Sequence, residues 1–388
     1  MSAARALAKR RRASRIDLTL QELKQDMGNR TKLFLWLLVA AFATPARAQD
    51  QDEPIRLKAD LVSLTAAVTD RNGRAVRSLK ADDFTIYEDG ARQRIEHFAA
   101  TEEPFTLLLL LDISGSTKDD IELMKRAARN FLAELRFDDR VGVIVFSRDI
   151  EMIGEFSDPR ARLIAAIEQI ATAPGSATSR FSTATGTSFY DALYLALADS
   201  PLKQVEGRKA IICMSDGVDS TSMKSYKQLA PFVERSEASI YFLELNTEEA
   251  TLEGLLKDRS DPEHLNFSPG QLARYFDEYD KDSPNRLRPR ETLSPLVKRE
   301  INTGLYDMAR RDMRDMATRT GGHEYAVKTL ADLSGVYKQI ADDLRSQYSL
   351  SYYPINRSHD GRWRQIRVEV KAPGATVRSR SGYRAPER

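Results

Sequence analysis

Three short runs of oxygen-bearing side chains stand out along the 388 residues. The first, Leu111-Asp112-Ile113-Ser114-Gly115-Ser116, puts a carboxylate and two hydroxyls on alternate positions of a tight loop. Alternate side chains of an extended segment point the same way, so Asp112, Ser114 and Ser116 can converge on one point. Oxygen donors carrying few negative charges suit a hard cation such as Mg²⁺, which favours octahedral coordination. The second run, Gly186-Thr187-Ser188-Phe189-Tyr190-Asp191-Ala192-Leu193, leaves a polar loop to open a helix and offers Thr187. The third, Met214-Ser215-Asp216-Gly217, ends an apolar strand and offers Asp216. The expected chemistry is one divalent ion, Mg²⁺ or else Mn²⁺ or Ca²⁺, held by Asp112, Ser114, Ser116, Thr187 and Asp216. The polar loop from Pro174 to Gly186 also carries Ser176, Thr178, Ser179, Ser182, Thr183 and Thr185, any of which could replace Thr187. Taken singly, Ser114 or Ser116 reads as a helix N-cap and Asp216 before Gly217 as a turn former. Those readings do not account for three such loops at the edge of one sheet.

The elements that must position these loops alternate strand with helix. Leu107 to Leu111 is a solid apolar run, as in a strand buried on both faces. Ile121, Met124, Ala128, Phe131, Leu132 and Leu135 form a helical stripe. The run Val141–Phe146 follows as a strand, and Asp158-Pro159 reads as an N-cap with proline at the first helical position. A helix near Ser188, strand Lys209–Met214, a helix near Tyr226–Arg235 and strand Ser239–Leu245 continue the pattern. Such alternation implies a Rossmann-like α/β fold, a doubly wound and mostly parallel sheet. In sheets of this kind ligand sites lie at the carboxyl ends of the strands. From about 247 to 300 the alternation stops in a charged, proline-bearing insertion, expected to be helical around Gln271–Tyr279. A helix through Leu305 and Met316 then ends at Gly321-Gly322, and a strand His323–Val327 and a helix through Leu333 and Leu344 follow.

Both flanks read as β. Val62, Leu64, Ala66 and Val68 alternate with Ser63, Thr65, Ala67 and Thr69, and the turn pairs Asn72-Gly73 and Asp89-Gly90 follow. In the tail Tyr348, Leu350 and Tyr352 alternate with serines, and Ile366, Val368 and Val370 with charged residues. The segments 53–103 and 346–388 are each too short for a sound core alone, so they are expected to form one small β-sheet domain beside the α/β domain of residues 104–345.

The runs LLLLLDISGS, GTSFYDAL and ICMSDG resemble, in order, the three loops of the metal-ion-dependent adhesion site (MIDAS) of von Willebrand factor type A (VWA) domains. The segment LKADDFTIYEDG and the terminal RSGYRAP are similar to the VWFA-related proteins of Acidobacteria. The resemblance implies that Ser114 and Ser116 contact the metal directly, with Thr187, Asp112 and Asp216 acting directly or through water. It leaves a sixth position for water or for an acidic side chain of a protein partner. The register of the helix after Thr187 matches the family.

Leu33 to Ala43 is an apolar run of 11 residues behind Arg30 and Lys32, with Ala46-Arg47-Ala48 after it. It is too short to span a membrane, which takes about 20 apolar residues, and has the form of a signal peptide over 1–48. Translation could begin at Met27. The chain is therefore expected to be exported to the periplasm, the cell envelope or the exterior, with no membrane span after cleavage. A net charge of +2 gives no argument for nucleic acid as partner. The lone Cys213 excludes an intramolecular disulfide and sits in a buried strand pattern. The metal set lacks a histidine to serve as general base, so an enzyme is not expected. The expected function is a metal-dependent, adhesion-type protein-binding module. The alternative is a scaffold or assembly factor whose flanking β domain does the binding.

Overall fold

The computed structural model describes residues 61–100, 103–170, 186–205 and 207–387. The expected signal segment, residues 53–60 and most of the polar loop before Gly186 lie outside them.

Strands β1 (Val62–Thr69), β2 (Phe84–Glu88), β3 (Ala91–Gln93) and β4 (Ile95–Ala99) lead to β5 (Phe105–Asp112). Every residue of β5 is buried. It lies in the middle of a six-stranded sheet ordered β10-β9-β8-β5-β6-β7. There β6 is Arg140–Phe146, β7 Ile150–Gly154, β8 Arg208–Ser215, β9 Ser239–Leu245 and β10 Glu324–Val327. All neighbours pair in parallel except β6 and β7. The antiparallel edge strand β7 was not expected. Its sequence, Ile150-Glu151-Met152-Ile153-Gly154, is short and only partly buried, so it lacks the apolar run that marks the inner strands.

The period of two along β5 divides the core. Leu107, Leu109 and Leu111 pack with helix α1 (Ile121–Glu134) and α2 (Arg160–Glu168) on one face. Leu108 and Leu110 pack on the other face with α3 (Phe189–Tyr194) and α4 (Tyr226–Arg235). Helix α2 begins one residue later than expected, with Pro159 itself at the N-cap.

After β9 come α5 (Glu248–Leu256), α6 (Pro269–Tyr279) and α7 (Pro295–Thr320). The charged segment is thus more helical than its composition suggests, and α7 starts ten residues before the stripe that announced it. Ser294 caps α7 by accepting from the Val297 N–H, with Pro295 at the first helical position. The helix closes on Gly321 at φ 77°, a left-handed conformation that glycine adopts without strain. Helix α7 packs on the face of Leu108 and Leu110 through Met313 and Met316, and α8 (Leu330–Ser346) on the opposite face through Leu333 and Leu344.

The tail returns through β11 (Tyr348–Tyr352), β12 (Trp363–Val370), β13 (Thr376–Ser379) and β14 (Gly382–Arg384). Two antiparallel sheets result, ordered β13-β1-β11-β4 and β14-β12-β2-β3. Each is woven from both ends of the chain: Leu64 lies opposite Leu350, and Ile86 opposite Val368. Their shared core holds Val62, Leu64, Phe84, Ile86, Tyr348, Tyr352 and Ile366. Tyr348 and Tyr352 are buried while Tyr353 is exposed, which assigns this aromatic strand to packing.

One buried arginine fastens the join between the two parts. Arg208 donates to the carbonyls of Leu344, Arg345 and Gln347 where the chain leaves α8, at 3.0, 2.9 and 2.7 Å. Its Nε lies 3.4 Å from the carboxylate of Glu103, where the chain enters β5. Among the described residues no helix is long and apolar enough to cross a membrane.

Candidate metal centre

The carboxyl ends of β5 and β8, with the loop before α3, meet at one edge of the sheet. Asp112 is the last residue of β5 and is fully buried. Its Oδ1 accepts from the Ser114 N–H at 2.9 Å and its Oδ2 from the Ser215 hydroxyl at 2.5 Å. The chain then turns through a 3-10 segment at Gly115–Asp120 before α1 begins. Thr117 pins this turn by donating to the Asp112 and Ser114 carbonyls at 2.8 and 3.1 Å. The hydroxyls of Ser114 and Ser116 consequently lie 3.2 Å apart.

Asp216 follows β8 directly and is 1% exposed. Its Oδ1 accepts from the Val218 N–H at 2.9 Å and its Oδ2 from the Thr247 hydroxyl at 2.7 Å. The Ser116 side chain also donates to it. Thr247 in turn lies 2.7 Å from the Tyr306 hydroxyl, which contacts Thr251 at 2.9 Å. Thr187 joins Ser116 and Asp216 in lining one cleft. Its backbone is held there by the Ser220 hydroxyl, 2.7 Å from its N–H, and by two N–H donors from Ser220 and Thr221 to its carbonyl. Gly186 just before it has φ 110°, and a Cβ there would stand 2.6 Å from Thr221, so only glycine admits this approach.

All five expected residues therefore come to one edge, with Asp112 and Ser114 beneath and Ser116, Thr187 and Asp216 at the cleft. The alternatives Ser176 to Thr185 lie outside the described residues. Burial, and then the nearby Asp216 carboxylate, push Asp112 up to about 7 against the hydrogen bonds from Ser114 and Ser215. Burial likewise raises Asp216 despite donors from Thr247, Ser116 and Val218. Among the described residues no cluster of three or more His, Cys, Asp or Glu side chains is placed to hold a metal. The donor set here is of another kind, two carboxylates and three hydroxyls. Buried carboxylates need a compensating partner, and among the described residues neither has an ion pair. Hydroxyl and carboxylate oxygens around an unmet negative charge fit a hard divalent cation.

Residues 107–218 match the family model described as von Willebrand factor type A domain. The chain carries a VWA domain. No curated protein matches it. Among solved structures it is similar to BatB, a conserved hypothetical protein of Bacteroides thetaiotaomicron, at 19% identity and a TM-score of 0.36, covering 62% of this chain and 100% of that one. A second is proximal thread matrix protein 1 of the mussel byssus with a zinc-occupied MIDAS motif, at 11% identity and TM-score 0.40, covering 66% of this chain and 49% of that one. A third is a von Willebrand factor type A protein from Catenulispora acidiphila, at 10% identity and TM-score 0.38, covering 84% and 74%.

Around the candidate site the structure adds residues that the sequence analysis above does not name. Asp219 is buried and ion-paired with Arg274 of α6. Arg274 also donates to the Asp219 carbonyl at 2.9 Å, and Ser268 donates to the Ser220 carbonyl at 2.8 Å. The segment between β9 and α7 is thus fastened to the Asp216 loop at Thr247, Ser268 and Arg274. Asp277, Asp280 and Asp282 are exposed, and Asp277 pairs with Arg286 at 2.6 Å. Cys213 is fully buried in β8.

Proposed function

We propose that this chain is a metal-dependent protein-binding module in which Asp112, Ser114, Ser116, Thr187 and Asp216 hold Mg²⁺ or a similar divalent ion. VWA domains are protein-interaction modules. The observation that carries the reading is the meeting of two buried, raised carboxylates with three hydroxyls at one edge of the sheet, Ser116, Thr187 and Asp216 lining a cleft and Asp112 and Ser114 beneath it. A divalent ion bound there supplies a Lewis acid that an acidic side chain of a partner can ligate. Ser114 and Ser116 would contact it directly, and Asp112 and Asp216 directly or through water. Ser215, Thr247 and Thr117 orient these donors from behind, as outer-shell partners do at metal sites. The reading also includes export by the segment 1–48, with cleavage before Gln49.

Calorimetry of the full chain with Mg²⁺ and Mn²⁺ tests the metal. Asp112→Ala is expected to abolish binding with the fold retained, and unchanged affinity in that variant shows that the site is misassigned. Recovery of the mature protein from its native envelope, followed by N-terminal sequencing, tests export. A mature chain that still holds residues 1–26 contradicts it.

A further inference from the structure

The cleft over the candidate metal site is not made by the VWA loops alone. Its volume is about 420 Å³. Ser116, Thr187 and Asp216 form its floor. One wall comes from the segment after β9 and from α7, where Leu255, Leu265, Phe267 and Leu305 form an apolar patch beside polar neighbours such as Asn266, Gln271 and Asn302. Leu255, Phe267 and Leu305 belong to a buried cluster separate from both faces of the central sheet. Leu265 reaches the cleft from a loop and stays 40% exposed.

The wall is held in place relative to the floor. Thr247 at its base donates to Asp216, Ser268 donates to the Ser220 carbonyl, and Arg274 pairs with buried Asp219. A partner that reaches the metal must therefore also meet this wall.

Arg148 and Arg290 line the cleft, and Asp216 is its sole carboxylate among the described lining residues. Arg290 is paired with Glu291 at 3.1 Å, which leaves Arg148 against Asp216 and the charge close to balance. A cation on the floor would tip this balance towards an anionic group. The volume lies in the range of clefts that take a small molecule, about 300–1,000 Å³. A protruding segment of a partner fits such a cleft.

We infer that the cleft takes a peptide segment of a partner protein in which the acidic residue directed at the metal is flanked by a large aliphatic or aromatic side chain that packs on the wall of Leu255, Leu265, Phe267 and Leu305. This rests on the metal-dependent binding proposed above and adds the class of sequence that the site selects. The wall lies beside the metal position, so the apolar residue is a near neighbour of the acid in the partner's chain.

The test is selection of bead-bound hexapeptides of random sequence by the full chain in Mg²⁺, with EDTA as control. Enrichment of Asp or Glu with an adjacent Leu, Ile, Met or Phe is expected in Mg²⁺ and not in EDTA. Leu265→Ser is then compared with wild type on one selected peptide by calorimetry. Leu265 is partly exposed, so this variant leaves the fold intact. It is expected to bind that peptide roughly tenfold more weakly, with Mg²⁺ affinity unchanged, while Leu265→Met retains binding. Metal-dependent enrichment of acid without an apolar neighbour, or equal peptide affinity in Leu265→Ser, overturns the inference and leaves the proposed function standing. Absence of any metal-dependent selection of acid overturns the proposed function and the inference with it. Binding of free 4-methylpentanoate in Mg²⁺ without peptide enrichment assigns the cleft to a small carboxylate and also overturns the inference.

Discussion

Thr247→Val isolates the contribution of one hydroxyl to the candidate metal site. The swap nearly keeps the side-chain volume and removes the donor that lies 2.7 Å from Asp216 Oδ2. Both residues are buried, so water does not replace the bond. A hydrogen bond to a charged group contributes about 1.5–3 kcal/mol. Loss of an outer-shell partner typically lowers metal affinity about 10- to 100-fold, which is about 1.4–2.8 kcal/mol. The two estimates agree, so the Mg²⁺ affinity of the variant is expected to fall by about one to two orders of magnitude. The Tyr306 hydroxyl also loses Thr247 but keeps Thr251 at 2.9 Å, so the tyrosine is not orphaned and the helices stay in place. Calorimetric titration with Mg²⁺ on the full chain reads the affinity, and circular dichroism checks the fold. Thr247→Ser keeps the hydroxyl and should recover most of the loss. A folded Thr247→Val protein with affinity within about twofold of wild type refutes the reasoning, since either Asp216 does not hold the metal or Thr247 does not orient it.

Three further outcomes are expected. Burial raises the Asp112 pKa from 3.8 to about 7, so the contribution of this group to metal-free stability should be present below about pH 4 and be lost as pH rises through about 7. Mg²⁺ should therefore raise the melting temperature more at pH 8 than at pH 5.5, and equal shifts at both pH values contradict this. Arg274→Met leaves the buried Asp219 carboxylate uncompensated and should cost about 3–5 kcal/mol in urea unfolding, while adding Asp219→Asn should restore much of it; equal stability of the single and double variants counts against the pair. Deletion of residues 348–388 removes both strand partners of β1 and leaves β2 only β3, so residues 61–100 should become protease-sensitive, and persistent resistance shows that they fold without the tail.

How much of this was legible in the sequence depended on how locally each feature is encoded. Strand β5 was plain because helices cover both its faces, which forces an unbroken apolar run over Leu107–Leu111. The candidate-site residues were legible as a group because Asp112, Ser114 and Ser116 share one turn after β5, and Thr187 and Asp216 sit on two further loops at the same edge of the sheet. Edge strand β7 escaped because an edge needs few apolar residues and Glu151 is exposed there. The first ten residues of α7 escaped because Val297 and Ile301 join a cluster with Leu255 of α5 and Phe276 of α6, apart from the core that holds Met313 and Met316. The wall of the cleft was hidden for a similar reason. Thr247, Ser268 and Arg274 look like ordinary polar residues of a charged segment, and their partners stand 31, 48 and 55 residues away. Only the fold reveals that the segment is a side of the site and not a loop beside it.

The arginine at the join bears on force. Anything that holds the edge of the sheet at Asp112 and Asp216 while the flanking sheets are held elsewhere places the two chain crossings, near Glu103 and Gln347, under tension together. Arg208 grips both, with three carbonyls on the outgoing side and one carboxylate on the incoming side. A pull on either crossing therefore also loads the other through Arg208. The sheets behind them are loaded on β11 and β4 at once, two neighbouring strands of the same sheet. The VWA domain hangs from a doubled strap with a rivet through both layers.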